Sequence, residues 1–201
     1  MMRWLQILAL VLLSYVAYQY FSHRAIKHPD GVVTAANDPE QSDTSESDFT
    51  YNQYVVKPLK DFQVVARVLS AEHYTLDAGA ELAPVDLALG WGRMSETAVI
   101  NQLNISQSGR FYRYTYKLPA PIPPNEIVTH SANMHMIPSN EMIEKQLKDV
   151  REGQIVHVSG YLVEAKDLQK NWTWRSSLTR EDSGGGACEL IWVKNLYVSD
   201  L

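Results

Sequence analysis

Cys188 is the only cysteine in the 201-residue chain, and Gly184, Gly185, Gly186 and Ala187 lead directly into it. A thiol in that setting can act as a nucleophile. Glycine-rich backbone can turn successive N–H groups toward an anion, and a neighbouring histidine can serve as the base. His130, His135 and His157 are the candidates for that base. Strand periodicity offers a competing reading. Cys188, Leu190 and Trp192 share one face of the last expected strand. That places the thiol in the core as a small apolar group and turns Glu189 outward.

A second set could hold a metal. His130, Met134, His135 and Met136 fall within seven residues, and imidazole with thioether is a soft combination that suits copper. The spacing matches no zinc pattern, and Glu126 is the only carboxylate close by. The expectation is therefore no metal and no cofactor, with the histidines bonded to backbone and the methionines packed beneath. A third set is polar. Arg175, Ser177 and Thr179 alternate onto one face and lead into Arg180, Glu181 and Asp182. The loop from Thr179 to Ala187 is long for a hairpin, whose loops usually take about two to five residues. Together with Asn133, these six residues form the expected binding surface. A G-x-S-x-G nucleophile motif and a calcium-loop pattern are both missing from the sequence. Tyr112, Tyr114, Tyr116, Trp172 and Trp174 could stack against a ligand; cross-strand packing is the plainer expectation.

These residues need elements to position them. Asp61 to Ser70 alternates as a strand, with Phe62, Val64, Ala66 and Val68 on one face. Pro84 to Leu89 reads as a short strand. Ser95 can cap a helix from Glu96 to about Leu103. A turn at Gln107–Arg110 leads into a strand from Phe111 to Leu118. Pro119 to Pro138 reads as irregular, because Pro119, Pro121, Pro123 and Pro124 exclude helix and central strand. Ser139 or Asn140 then caps a helix to about Glu152, with Ile143, Leu147 and Val150 as its apolar stripe. The strand after Gly153, Asn171 to Leu178 and Cys188 to Val198 read as an antiparallel meander. The expected fold is a mainly β (α+β) domain: a small antiparallel, OB-like barrel of five to six strands with two helices. Gly160 allows the sharp strand bend such a barrel needs. An open α+β sheet is the alternative.

Ahead of this domain, Trp4 to Phe21 contains no charged residue. Eighteen residues in a helix come near the ~30 Å hydrocarbon layer of a bilayer, and Tyr15, Tyr18, Tyr20 and Phe21 crowd one end like an interfacial belt. Residues 1–27 are thus expected as an uncleaved single-pass signal anchor. Residues 28–49 carry six acidic residues and no Lys or Arg, and read as a disordered acidic spacer. Residues 50–201 form the globular domain. They hold 15 Lys plus Arg against 17 Asp plus Glu, so no basic face supports nucleic-acid binding.

The phrases GWGRMS (Gly90–Ser95), HSANMH (His130–His135) and SSLTREDSGGGACE (Ser176–Glu189) resemble a family of uncharacterised membrane-anchored proteins of Gram-negative bacteria. The resemblance implies a bacterial envelope protein in the inner membrane and attaches no activity to any residue. With the anchor and spacer it implies a periplasmic domain, a lipid partner through the N-terminal helix and an envelope protein as a further partner. The function expected is binding of a protein or small ligand. The alternatives are a hydrolase or transferase using Cys188 with a histidine, or a copper-type protein using the His130–Met136 segment.

Overall fold

The computed structural model describes residues 4, 6, 7, 9–14, 24–180, 184 and 186–199. In chain order it contains β1 (Glu40–Ser42), β2 (Phe49–Tyr51), β3 (Tyr54–His73) and β4 (Val85–Gly90). A 3-10 turn (Gly92–Ser95), α1 (Thr97–Ile100), β5 (Leu103–Ser108), β6 (Phe111–Tyr116) and α2 (Pro124–Thr129) follow. β7 (Ser131–Pro138), α3 (Glu141–Asp149), β8 (Ile155–Asp167), β9 (Trp172–Arg175) and β10 (Glu189–Ser199) complete the chain.

β3 organises the sheet. Its twenty residues pair β8 from Tyr54 to Arg67 and β4 from Arg67 to His73. One long strand thereby serves two neighbours and rolls the sheet around an apolar interior. Phe62, Val64, Ala66 and Val68 of β3 meet Val85 and Leu87 of β4, Met134 and Met136 of β7, and Ile191 and Val193 of β10 in that interior. α3 covers it with Ile143 and Leu147. Asn140 caps α3 by accepting the Ile143 N–H at 3.0 Å, which satisfies one of the unpaired donors of the first turn. A second core on the outer face joins Tyr54, Val163, Ala165 and Leu190 to the half-buried Trp172, Trp174 and Trp192.

The expected architecture needs correction. The sheet has eight strands in the order β1-β3-β4-β7-β10-β8-β9, with β2 added on β3 and a further β3–β8 pairing. It is not the expected closed, all-antiparallel OB-like barrel of five to six strands: eight strands take part, and β7 and β10 run parallel. The meander fails as well: β9 and β10 do not pair with each other but flank β8. The expected bend at Gly160 does have a counterpart. It stands opposite a register shift between Val193 and Asn195, and a Cβ there would lie 1.9 Å from the Trp192 carbonyl oxygen.

The irregular reading of Pro119–Pro138 is also wrong. Pro124 opens α2 at a position where its missing N–H costs nothing, and β7 follows as a central strand. β7 is almost wholly buried on both faces, so it lacks the alternation that marks a half-exposed strand. The helix expected to reach Leu103 stops at Ile100, and Leu103 opens β5 instead.

The transmembrane anchor is corrected too. Among the described residues no helix is long and apolar enough to cross a membrane. Residues 5, 8 and 15–21 of the expected span lie outside the described residues. Nor are residues 28–49 a free spacer. β1 pairs Asp61–Gln63 of β3, Val33 bridges Glu96, and the buried His28 ring lies 2.6 Å from the Gly153 carbonyl. Backbone pairing and two buried anchors, His28 and Ala35, do what the sparse apolar content of this stretch cannot.

Candidate functional site

The hairpin of β5 and β6 stands on the outer face of β4 and β7. Its turn places Gly109 at φ +57° and Arg110 at φ +70°, the left-handed pair that a two-residue hairpin turn requires. That turn aims Arg110 back at the sheet. Its Nε and Nη2 donate to the two carboxylate oxygens of Asp77 at 2.9 and 2.7 Å. Its Nη1 donates to the Ala83 carbonyl at 2.7 Å and to Asp86 Oδ1 at 2.8 Å. The guanidinium lies 3.7 Å from the centre of the Tyr74 ring and 5.5 Å from that of Trp174. Burial disfavours the charge on Arg110, but the two aspartates outweigh it and raise the pKa. Burial likewise pushes the Asp77 carboxyl up, but Arg110, and after it the Gly79 and Ala80 N–H groups that face Asp77, bring it below the usual carboxylate value.

Asp86 is fully buried and serves three partners. Besides Arg110, it lies 2.9 Å from His135 Nδ1, off the line of a good hydrogen bond, and it accepts from Asn133 Nδ2 at 3.4 Å. The His135 ring packs 4.5 Å from Trp174 and is 2% exposed. Asn133 connects this network to the thiol. Its Oδ1 accepts from Gln107 Nε2 at 2.7 Å. Its Nδ2 also faces the Arg110 carbonyl at 3.1 Å and Cys188 Sγ at 3.9 Å.

Beyond Asn133 a cleft of about 190 Å³ opens between β6, the start of β7 and the chain entering β10. Phe111, Tyr112 and Tyr114 form one wall, Val128 and Ala132 another, and Cys188 lies between them and Arg180. Burial pushes the Tyr112 hydroxyl up to about 12, against a smaller opposing effect from Ser131. The expectation that Glu189 faces outward is overturned: it is 1% exposed and forms an ion pair with Arg180. Arg180 also reaches over Trp91, 5.9 Å from the ring centre. The reason is register. β10 runs parallel to β7 with Glu189 opposite Met134, so Glu189 shares the inner face with Ile191 and Val193, while Cys188 turns to the outer face, half-buried.

Of the expected binding surface, Asn133, Thr179 and Arg180 line this cleft together with Cys188. Arg175 pairs with Glu164 at 2.6 Å on an exposed part of β9. Ser177 holds the backbone, its N–H donating to the Cys188 carbonyl at 3.0 Å. Glu181 and Asp182 lie outside the described residues. His130 is held elsewhere, with Nδ1 near Thr129 Oγ1 at 2.9 Å and the Glu126 carbonyl at 3.1 Å; a Cβ on Gly92 would lie 2.7 Å from its ring. The soft metal set does not assemble. Met134 and Met136 point into the core, whereas His135 faces Asp86 on the other side of the same strand. No group of three or more His, Cys, Asp or Glu with metal-holding geometry occurs among the described residues.

Sequence reading missed Asp77, Asp86 and Arg110. A left-handed Gly109-Arg110 turn was the available signal for Arg110; nothing in the local pattern marks Asp86, which sits in an otherwise apolar strand. A wider groove of about 600 Å³ runs beside β1, but its Lys194, Tyr161 and Glu46 are bonded to one another at 2.7 Å each. Comparison of the chain with protein-family models, curated proteins and solved structures gives no match.

Proposed function

We propose that the protein binds a small ligand in the cleft beside Cys188 and performs no chemistry on it. The observation that carries this reading is convergence: Tyr112, Asn133, Arg180 and Cys188 lie far apart in sequence and line one cavity. Concave sites with a few convergent polar groups are the usual form of small-ligand pockets. A catalytic cysteine would need a base in reach of the thiol and of a substrate. His135 instead sits under Trp174 with its Nδ1 turned to Asp86, and the Asn133 amide and the Arg110 carbonyl lie beside the thiol.

The sole cysteine supplies a direct test. The full chain is screened by thermal shift against neutral aromatics, carboxylates, amino acids, sugars and short peptides, and hits are scored for slowing alkylation of Cys188. A ligand in the cleft raises the melting temperature by mass action and protects the thiol; Cys188→Ser keeps the thermal shift. Stabilising compounds that leave alkylation unchanged would place binding elsewhere. Turnover of a bound compound that Cys188→Ser abolishes without loss of stability would replace the reading with a catalytic one.

A further inference from the structure

Resting on that binding reading, we infer that the occupant of the cleft is a small neutral aromatic molecule rather than an anion or a charged peptide. Among the described residues, the charged ones of the lining cancel. Arg180 and Glu189 pair with each other, and the Nη1 and Nη2 atoms of Arg180, Oε2 of Glu189 and the Tyr112 hydroxyl are all covered from solvent. What the cleft presents is therefore mostly carbon. Phe111 is 41% exposed, Tyr114 stands between Tyr112 and Tyr116 at 5.8 and 6.4 Å, and Val128, Ala132 and Ala187 complete the apolar lining. A further ring can join this row edge-on or offset, the geometries aromatic pairs prefer. The Cys188 sulfur is a polarisable neighbour for its edge.

Size agrees with charge. An apolar cavity of ~150 Å³ is enough for a benzene ring, and this cleft of about 190 Å³ leaves room for one substituent. An anion entering it would shed water against a guanidinium already neutralised by Glu189. A desolvated charge without a partner is strongly disfavoured.

The test uses the full chain and N-ethylmaleimide, with labelling of Cys188 followed by mass spectrometry. Indole, phenol and benzyl alcohol are the neutral probes; benzoate and phenyl phosphate are the charged ones. A neutral probe at about ten times its Kd slows labelling about tenfold, while benzoate at equal concentration leaves the rate unchanged. Tyr114→Ala removes the protection, and Tyr197→Ala, on a different exposed surface, keeps it. Should Tyr114→Ala fail to fold, Phe111→Ser at the half-exposed rim takes its place and weakens the protection. Benzoate protecting as well as the neutral probes would overturn the inference and leave the binding reading standing. So would protection of the thiol by a sugar or amino acid from the wider screen but by no neutral aromatic. No protection by any compound would sink both.

Discussion

Two arginines tie loops to this sheet, and they do it differently. Arg110 spreads its charge over Asp77, Asp86 and the Ala83 carbonyl and lies against Tyr74. Arg180 meets one buried carboxylate, Glu189, and its Nη1 and Nη2 make no aligned hydrogen bond among the described residues. The first arrangement has several good acceptors to offset desolvation; the second shows one carboxylate facing the guanidinium among the described residues. A buried pair of that second kind is weak evidence of stability, because desolvation can equal the Coulombic gain. The Arg110 network therefore reads as the fastening of the hairpin. The Arg180 pair reads as the element that closes the inner face next to the cleft while keeping the cleft neutral.

Breaking the first network tests the comparison most severely. Asp86→Ala removes the shared partner of Arg110, His135 and Asn133, and should cost about 3–5 kcal/mol, measured by urea unfolding. A loss below about 1 kcal/mol would show that Asp77 and Ala83 alone hold Arg110. The second pair should behave otherwise. Arg180→Met alone removes the cation facing the buried Glu189 and should cost about 3 kcal/mol, whereas Arg180→Met with Glu189→Met should recover most of that loss. A double variant as unstable as the single one would mean that the pair contributes net stability, like the Arg110 network.

Smaller effects sharpen the contrast. Gln107→Ala leaves Asn133 Oδ1 without its 2.7 Å donor and should cost about 1 kcal/mol. It should also speed alkylation of Cys188 by loosening Asn133, whereas Arg175→Ala, on an exposed pair, should change neither. The smallest effect is that of acid on the hairpin fastening. Asp77 has its pKa lowered in the fold from the ordinary 3.8, so its stabilisation is complete above that value and fades as pH falls through the lower folded one. Stability should therefore decline below about pH 4, and Asp77→Asn should flatten that part of the curve while costing less than about 1 kcal/mol at neutral pH. An unchanged acid slope in Asp77→Asn would assign the decline to other carboxylates.

The site was partly legible in the chain. The polar run before Cys188 and the Asn133 segment pointed to two sides of the cleft, because polar residues beside glycines in a long connection need a partner. The other wall was misjudged. Tyr112, Tyr114 and Tyr116 do share a face of β6, but whether that face packs on α2 or borders a cavity depends on where the hairpin lies. Asp86 was invisible for a different reason. One acid in the strand VDLALG carries no periodic signal, and its meaning comes from Arg110, 24 positions later.

Local chemistry alone settles α3, with its Asn140 cap and apolar stripe, and the alternating inner face of β3. These follow from side-chain period and capping, which act over a few residues. Tertiary structure decided the rest. The parallel pairing of β7 with β10 turned Glu189 inward and Cys188 outward. Burial on both faces made a strand of a segment rich in polar residues and prolines. The packing of residues 28–49 on the domain came from backbone bonds that composition does not encode. Register and burial are set by which strands meet, and that is a property of the whole sheet.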